Sequence, residues 1–127
     1  MEQSQAVRDA ALAFYRSLSS TDSATAIDEQ TASDDAAALI IGTEDHEWIS
    51  GRDACVAAFT EQAQAGLVIE PGDIQAYAEG TVGWIADRPT VVLPDGRRVP
   101  TRLMAIYRLE DGRWQQLASH LSVGGTD

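Results

Sequence analysis

An α+β fold is what this chain of 127 residues predicts, and three observations carry the prediction. Residues 82–123 hold three extended segments joined by two Asp-Gly turns, Asp95-Gly96 and Asp111-Gly112. Asp-Gly between apolar runs is a strong hairpin signal, because both residues tolerate the positive φ that hairpin turns require. Near the N-terminus, Val7, Ala11, Phe14 and Leu18 recur at helical spacing and make one apolar stripe. The meander strands are apolar on both faces, so helices on one side would still leave a second face to cover.

The elements follow in order. A helix runs from about Ser4 to Ser19, where Ser19-Ser20-Thr21-Asp22 interrupts it. Asp22 or Ser23 is placed to cap a short second helix reaching about Glu29. Thr31 to Asp35 reads as polar loop, and Ala36 to Ile41 as a short buried strand ending at Gly42. Residues 42–51 show no period. They lead into a third helix from Arg52 to about Ala65, with Ser50 or Gly51 as cap and Gly66 as stop. Its apolar face is Cys55, Ala58, Phe59 and either Gln62 or Ala63. Leu67 to Glu70 and Asp73 to Ala78 read as one strand bent at Pro71-Gly72. Glu79-Gly80 then turns the chain into the meander. No repeat, linker or low-complexity tract interrupts this order, which predicts a single domain over residues 1–127.

Charge narrows the partners. A formal net charge of -11, spread along the chain, argues against nucleic acid and anionic membrane, which require a basic footprint. The N-terminus has no basic segment followed by an apolar core, and no apolar run reaches the roughly 20 residues of a membrane span. One cysteine, Cys55, excludes an intrachain disulfide and fits a reducing compartment. A cytoplasmic protein is expected. Asp45-His46-Glu47 has metal-ligating residue types, but neighbours on an extended loop point in different directions, so no metal is expected. No phosphate-loop spacing surrounds Gly42, Gly51 or Gly80, and no cofactor is expected.

The order helix, helix, strand, helix, meander resembles the nuclear transport factor 2-like superfamily, and within it a SnoaL-like domain. Three stretches carry the resemblance: Ile41-Gly42-Thr43 with Glu47-Trp48 and Gly51-Arg52-Asp53-Ala54; residues 78–88, AEGTVGWIADR; and Arg102 through Trp114 to Ser119-His120-Leu121-Ser122-Val123-Gly124. The resemblance implies a cone: three N-terminal helices packed on a curved antiparallel or mixed β-sheet, around a pocket. The superfamily includes ketosteroid isomerases, polyketide cyclases, epoxide hydrolases, dehydratases and proteins without known chemistry, so the fold does not choose among them. Arg102 is similar to the central arginine of the aspartate-arginine-aspartate relay in epoxide hydrolases of this fold.

Candidate site residues follow from strand parity. In the last strand, unbroken alternation groups Trp114, Gln116, Ala118, His120 and Ser122 on one face, and Leu117, Leu121 and Val123 on the other. On the preceding strand Met104 and Ile106 lie between Arg102 and Arg108, opposite Leu103, Ala105, Tyr107 and Leu109. If Met104 lines the inner face, Arg102 points into the pocket and can bind an oxyanion, while His120 exchanges a proton near neutral pH. These two are the expected catalytic pair. Trp48 and Trp84 are the expected apolar walls, and Met104, Asp87 and Tyr15 join them as ligand-binding candidates; one of Asp87 and Arg88 should face inward. The second face of the sheet, carrying Leu117, Leu121 and Val123, is expected to form a homodimer. The first expectation for function is binding of a small, largely apolar molecule. The alternatives are an isomerase, cyclase or epoxide hydrolase using His120 and Arg102, and a dimerisation module whose core is filled.

Overall fold

The computed structural model describes residues 1–124. Among them lie nine strands and three helices, in the order β1 (Glu2–Gln3), α1 (Gln5–Leu18), α2 (Ala24–Glu29), β2 (Leu39–Ile41), β3 (Trp48–Ser50), α3 (Arg52–Gln64), β4 (Val68–Glu70), β5 (Gln75–Glu79), β6 (Val82–Asp87), β7 (Thr90–Val92), β8 (Arg98–Glu110) and β9 (Arg113–Val123). The sheet runs β1-β5-β6-β8-β9-β2-β3, and β7 pairs with both β4 and β8. It is mixed and open: β2 lies parallel to β9, and the other named pairs are antiparallel. Helices on one face of such a curved sheet make the expected α+β cone.

β8 gives the sheet its curl. Its second half pairs with β6 and its first half with β7, so one long strand joins two arms that diverge at Pro89. Thr101 pins that junction, its backbone N–H and its hydroxyl both donating to the Pro89 carbonyl, at 3.1 and 2.7 Å. Both hairpin turns have the predicted backbone, with Gly96 at φ 90°, and Asp111 and Gly112 at φ 50° and 77°.

The apolar stripe of α1 does what its period predicts. Val7, Ala11 and Tyr15 enter one core cluster with Ile85, Ala105 and Tyr107, while Phe14 and Leu18 enter a second with Ile27, Phe59 and Ala63. Ser4 caps the helix, accepting from the Val7 N–H at 3.1 Å. Gly83 lets the helix approach β6 closely: a Cβ there would lie 2.8 Å from Val7 Cγ2. In α3 the buried face is Cys55, Phe59 and Ala63. The short helix α2 is held at its C-terminal end by Arg52, whose guanidinium pairs with Asp28 Oδ1 at 2.9 Å and donates to the Asp28 and Ala32 carbonyls at 2.8 and 3.0 Å.

Three elements differ from the sequence reading. β1 precedes α1 and pairs with β5, a pairing no local pattern announces. Residues 42–51, which show no period, contain β3, a three-residue edge strand too short to display one. The bent strand around Pro71-Gly72 is two strands in separate arms: β4 pairs with β7, and β5 with β1 and β6. Among the described residues, no helix is long and apolar enough to cross a membrane.

Candidate functional site

A bulge in β9 decides which side chains face the cone. β8 and β9 pair in register from Thr101↔Val123 to Ile106↔Ala118, then resume at Tyr107↔Gln116, leaving Leu117 as the extra residue. One extra residue reverses the alternation beyond it. Trp114 and Gln116 therefore share the inner face with Ser119 and Leu121, opposite Leu109, Tyr107, Ala105 and Leu103. His120 and Ser122 pair with Met104 and Arg102 on the outer face, where Arg102, Met104 and His120 are exposed.

This corrects the inward orientation expected for Arg102, Met104 and His120. They do come together, around an open hollow of about 590 Å³ that also touches Gln75, Arg88 and Ser122, but on the side of the sheet away from the helices. Trp84 lies on that outer face too, stacked on Tyr77 with ring centroids 5.0 Å apart and planes 21° apart. Trp48 projects from the edge strand β3 and is 63% exposed. Neither tryptophan lines the cone cavity. Leu121, expected on the dimer face, lines that cavity instead.

The cavity lies between the helices and the inner sheet face and has a volume of about 120 Å³. Tyr15 and Phe59 close it from the helices; Leu103 and Leu121 close it from the sheet; Ile40 and Ile69 fill its sides. Its polar edge is Thr43, Glu47, Gln62 and Ser119. Phe59, Gln62, Glu47 and Val91 also border a wider groove of about 660 Å³ that reaches His46 and Glu61 at the surface. The cavity and the groove thus adjoin, with those shared side chains between them. Phe59 was legible as part of the apolar helix face from its spacing; the alternation grouped Leu103 and Leu121 as apolar positions but on the face opposite the expected pocket. Ser119 shares the face of Leu121 and was misplaced with it, and Glu47 stands in the segment without period.

Tyr15, on the cavity wall, and Asp87 are brought together as a buried pair. The Tyr15 hydroxyl donates to Asp87 Oδ2 at 2.8 Å. The same carboxylate accepts from the Gly72 N–H at 3.2 Å and, through Oδ1, from the Arg88 N–H at 2.8 Å. Of the two residues left open at the end of β6, Asp87 is the one that faces inward, and Arg88 is exposed. Burial, reinforced by the hydrogen bond to Asp87, pushes the Tyr15 phenol far above the ordinary tyrosine range. Tyr15 is thus a neutral donor already committed to Asp87. Burial also raises the Cys55 thiol, whose Sγ donates to the Ile49 carbonyl at 3.5 Å. A protonated, buried thiol is a poor nucleophile.

The family model of the SnoaL-like domain matches residues 7–125. Solved structures share the fold. A candidate dehydratase of the NTF2-like family from Streptomyces avermitilis superposes with a TM-score of 0.85 at 13% identity, covering 96% of this chain and 96% of that one. An NTF2-like protein of unknown function from Pseudomonas putida KT2440 gives 0.79 at 16% identity, covering 98% and 91%. A candidate ketosteroid isomerase from Parabacteroides distasonis gives 0.72 at 14% identity, covering 98% and 95%. At these identities the likeness is one of fold. No curated protein sequence matches the chain.

Proposed function

Because the chain belongs to the SnoaL-like domain family, we propose that it binds a small, largely apolar molecule in the cone cavity. The observation that carries this reading is the unfilled space among Tyr15, Phe59, Leu103 and Leu121. A well-packed core leaves few voids larger than a water molecule, and an apolar cavity of about 150 Å³ is known to take benzene. An NMR titration with cyclohexanone should give saturable shifts at Leu103, Ser119 and Leu121, with Met104 and Ile106 unmoved. A titration with no saturable change at millimolar ligand would favour the filled-core alternative.

A catalytic reading has its own support in the fold shared with a candidate dehydratase and a candidate ketosteroid isomerase. His120 and Arg102 stand across the sheet from the cavity, so their proposed acid–base and oxyanion roles would belong to the outer hollow. Chemistry inside the cone would draw instead on Glu47, Ser119 and the Tyr15–Asp87 pair.

The outer sheet face is proposed as a homodimer interface. Tyr77, Trp84, Ile106 and Ala118 form one cross-strand row there, next to Met104; Ile106 and Met104 are 41% and 50% exposed. Contiguous exposed apolar surface of this kind marks an interaction site. Light scattering at micromolar protein should give twice the chain mass, falling to the monomer in Ile106→Asp; a monomeric wild type would remove the proposal. A cytosolic location is proposed with it, supported by the single unpaired Cys55.

A further inference from the structure

We propose that the cavity and its mouth form one site selective for organic cations, taking a primary ammonium group on an apolar body of about one ring. This rests on the reading of the cavity as a ligand site and adds the chemistry of what fills it. The argument starts at Gly42, which ends the β2 strand. A Cβ built there would lie 2.5 Å from Glu47 Oε2 and 2.7 Å from Glu47 Cβ, so the Glu47 side chain occupies the space that a side chain at 42 would take. The turn is closed around it: the Gly42 N–H donates to the Glu47 carbonyl at 2.8 Å, and the Glu44 N–H donates to Glu47 Oε1 at 3.1 Å. The sequence thus holds a carboxylate where the cavity and the outer groove adjoin.

That carboxylate lacks a counter-charge. Glu47 is half-buried and borders both the cavity and the outer groove, yet no arginine lines either one. Among the described residues, Glu47 forms no ion pair, and the hydrogen bonds it receives from Glu44 and, at 3.4 Å, from the Thr43 hydroxyl both reach Oε1. Oε2 accepts none. A half-buried carboxylate that borders the cavity gains from a cation that donates to its free oxygen. Glu61 at the mouth and the formal net charge of -11 add a field that draws cations and repels anions. The apolar end of the ligand would sit among Phe59, Leu103 and Leu121, where about 120 Å³ accommodates a ring and little more.

Benzylamine, benzyl alcohol and benzoate share one ring and differ in charge, so they separate the two parts of the idea. At neutral pH and low salt, NMR titration of the full chain should show benzylamine binding at least about fivefold tighter than benzyl alcohol, and no binding of benzoate. The preference should weaken as sodium chloride is raised. In Glu47→Gln, which keeps an acceptor for Thr43 and Glu44 and so keeps the turn, the two affinities should converge while that of benzyl alcohol stays unchanged. Equal affinities in the wild type, or a preference that survives in Glu47→Gln, would overturn the cation assignment and leave the cavity reading standing. Failure of all three to bind would remove both.

Discussion

Replacing Asp87 by alanine is expected to lower folding stability by about 3–5 kcal/mol, read as a fall of more than about 1 M in the urea midpoint of unfolding. Asp87 is 6% exposed, and its carboxylate accepts three hydrogen bonds, from α1 through Tyr15, from the β4–β5 connection through Gly72, and from its own strand end through Arg88. Alanine removes all three acceptor interactions at once, and the Tyr15 hydroxyl is then left buried without a partner. Tyr15→Phe is a smaller change, since the carboxylate keeps both backbone donors; about 1 kcal/mol is expected. The ordering of the two variants is the sharper part of the prediction. An Asp87→Ala protein within about 0.5 kcal/mol of wild type would show that this carboxylate does not hold the helix, the loop and the sheet together.

Stability should also fall steeply above pH 10, the ordinary tyrosine value. Burial raises the Tyr15 and Tyr107 phenols, so both stay neutral in the folded protein at a pH where the unfolded chain ionises them. Their stabilising effect is complete below the unfolded value and is lost as pH rises from there toward the raised folded values. Each phenol contributes about 1.4 kcal/mol of loss per pH unit in that window, or nearly 3 for the pair. The Cys55 thiol, also raised by burial, adds a smaller loss that begins near 9. The chain contains no lysine, so no ammonium side chain titrates across the same range. Urea unfolding followed from about pH 9 to about pH 12 should show the decline, and Tyr15→Phe should reduce its slope by about half. A flat profile in the wild type would mean that these phenols reach solvent.

Much of the fold was legible because its signals are local. The Asp-Gly turns require φ values that few residues adopt, and the α1 stripe repeats often enough to set a period. Pairing across long sequence distances was not legible: nothing in Glu2-Gln3 points to β5, and the parallel contact of β2 with β9 joins residues far apart in the chain. The site suffered more. Period-two reasoning moves every later residue to the wrong face when one residue is inserted, and Leu117 carries no glycine, proline or charge change to announce the bulge. Arg102, Met104 and His120 were correctly grouped and assigned to the wrong side. Tyr15 was found as a cavity residue; its partner Asp87 lies just behind the wall.

The bulge divides β9 into two halves with different freedom to change. Before it, Trp114 packs against the first core cluster, the Gln115 side chain donates to the Glu29 carbonyl at 2.5 Å, and Gln116 exchanges backbone hydrogen bonds with residues 30 and 32. That half is tied to the end of α2 and to α1. After it, Ser119 and Leu121 line the cavity, and Ala118, His120 and Ser122 alternate with them on the outer face. Substitutions at Ser119 and Leu121 thus act on the cavity they share with Tyr15 and Phe59, and substitutions at His120 and Ser122 on the outer face. One strand anchors the fold at its start and, toward its end, presents alternate residues to the cavity and to the exposed sheet face.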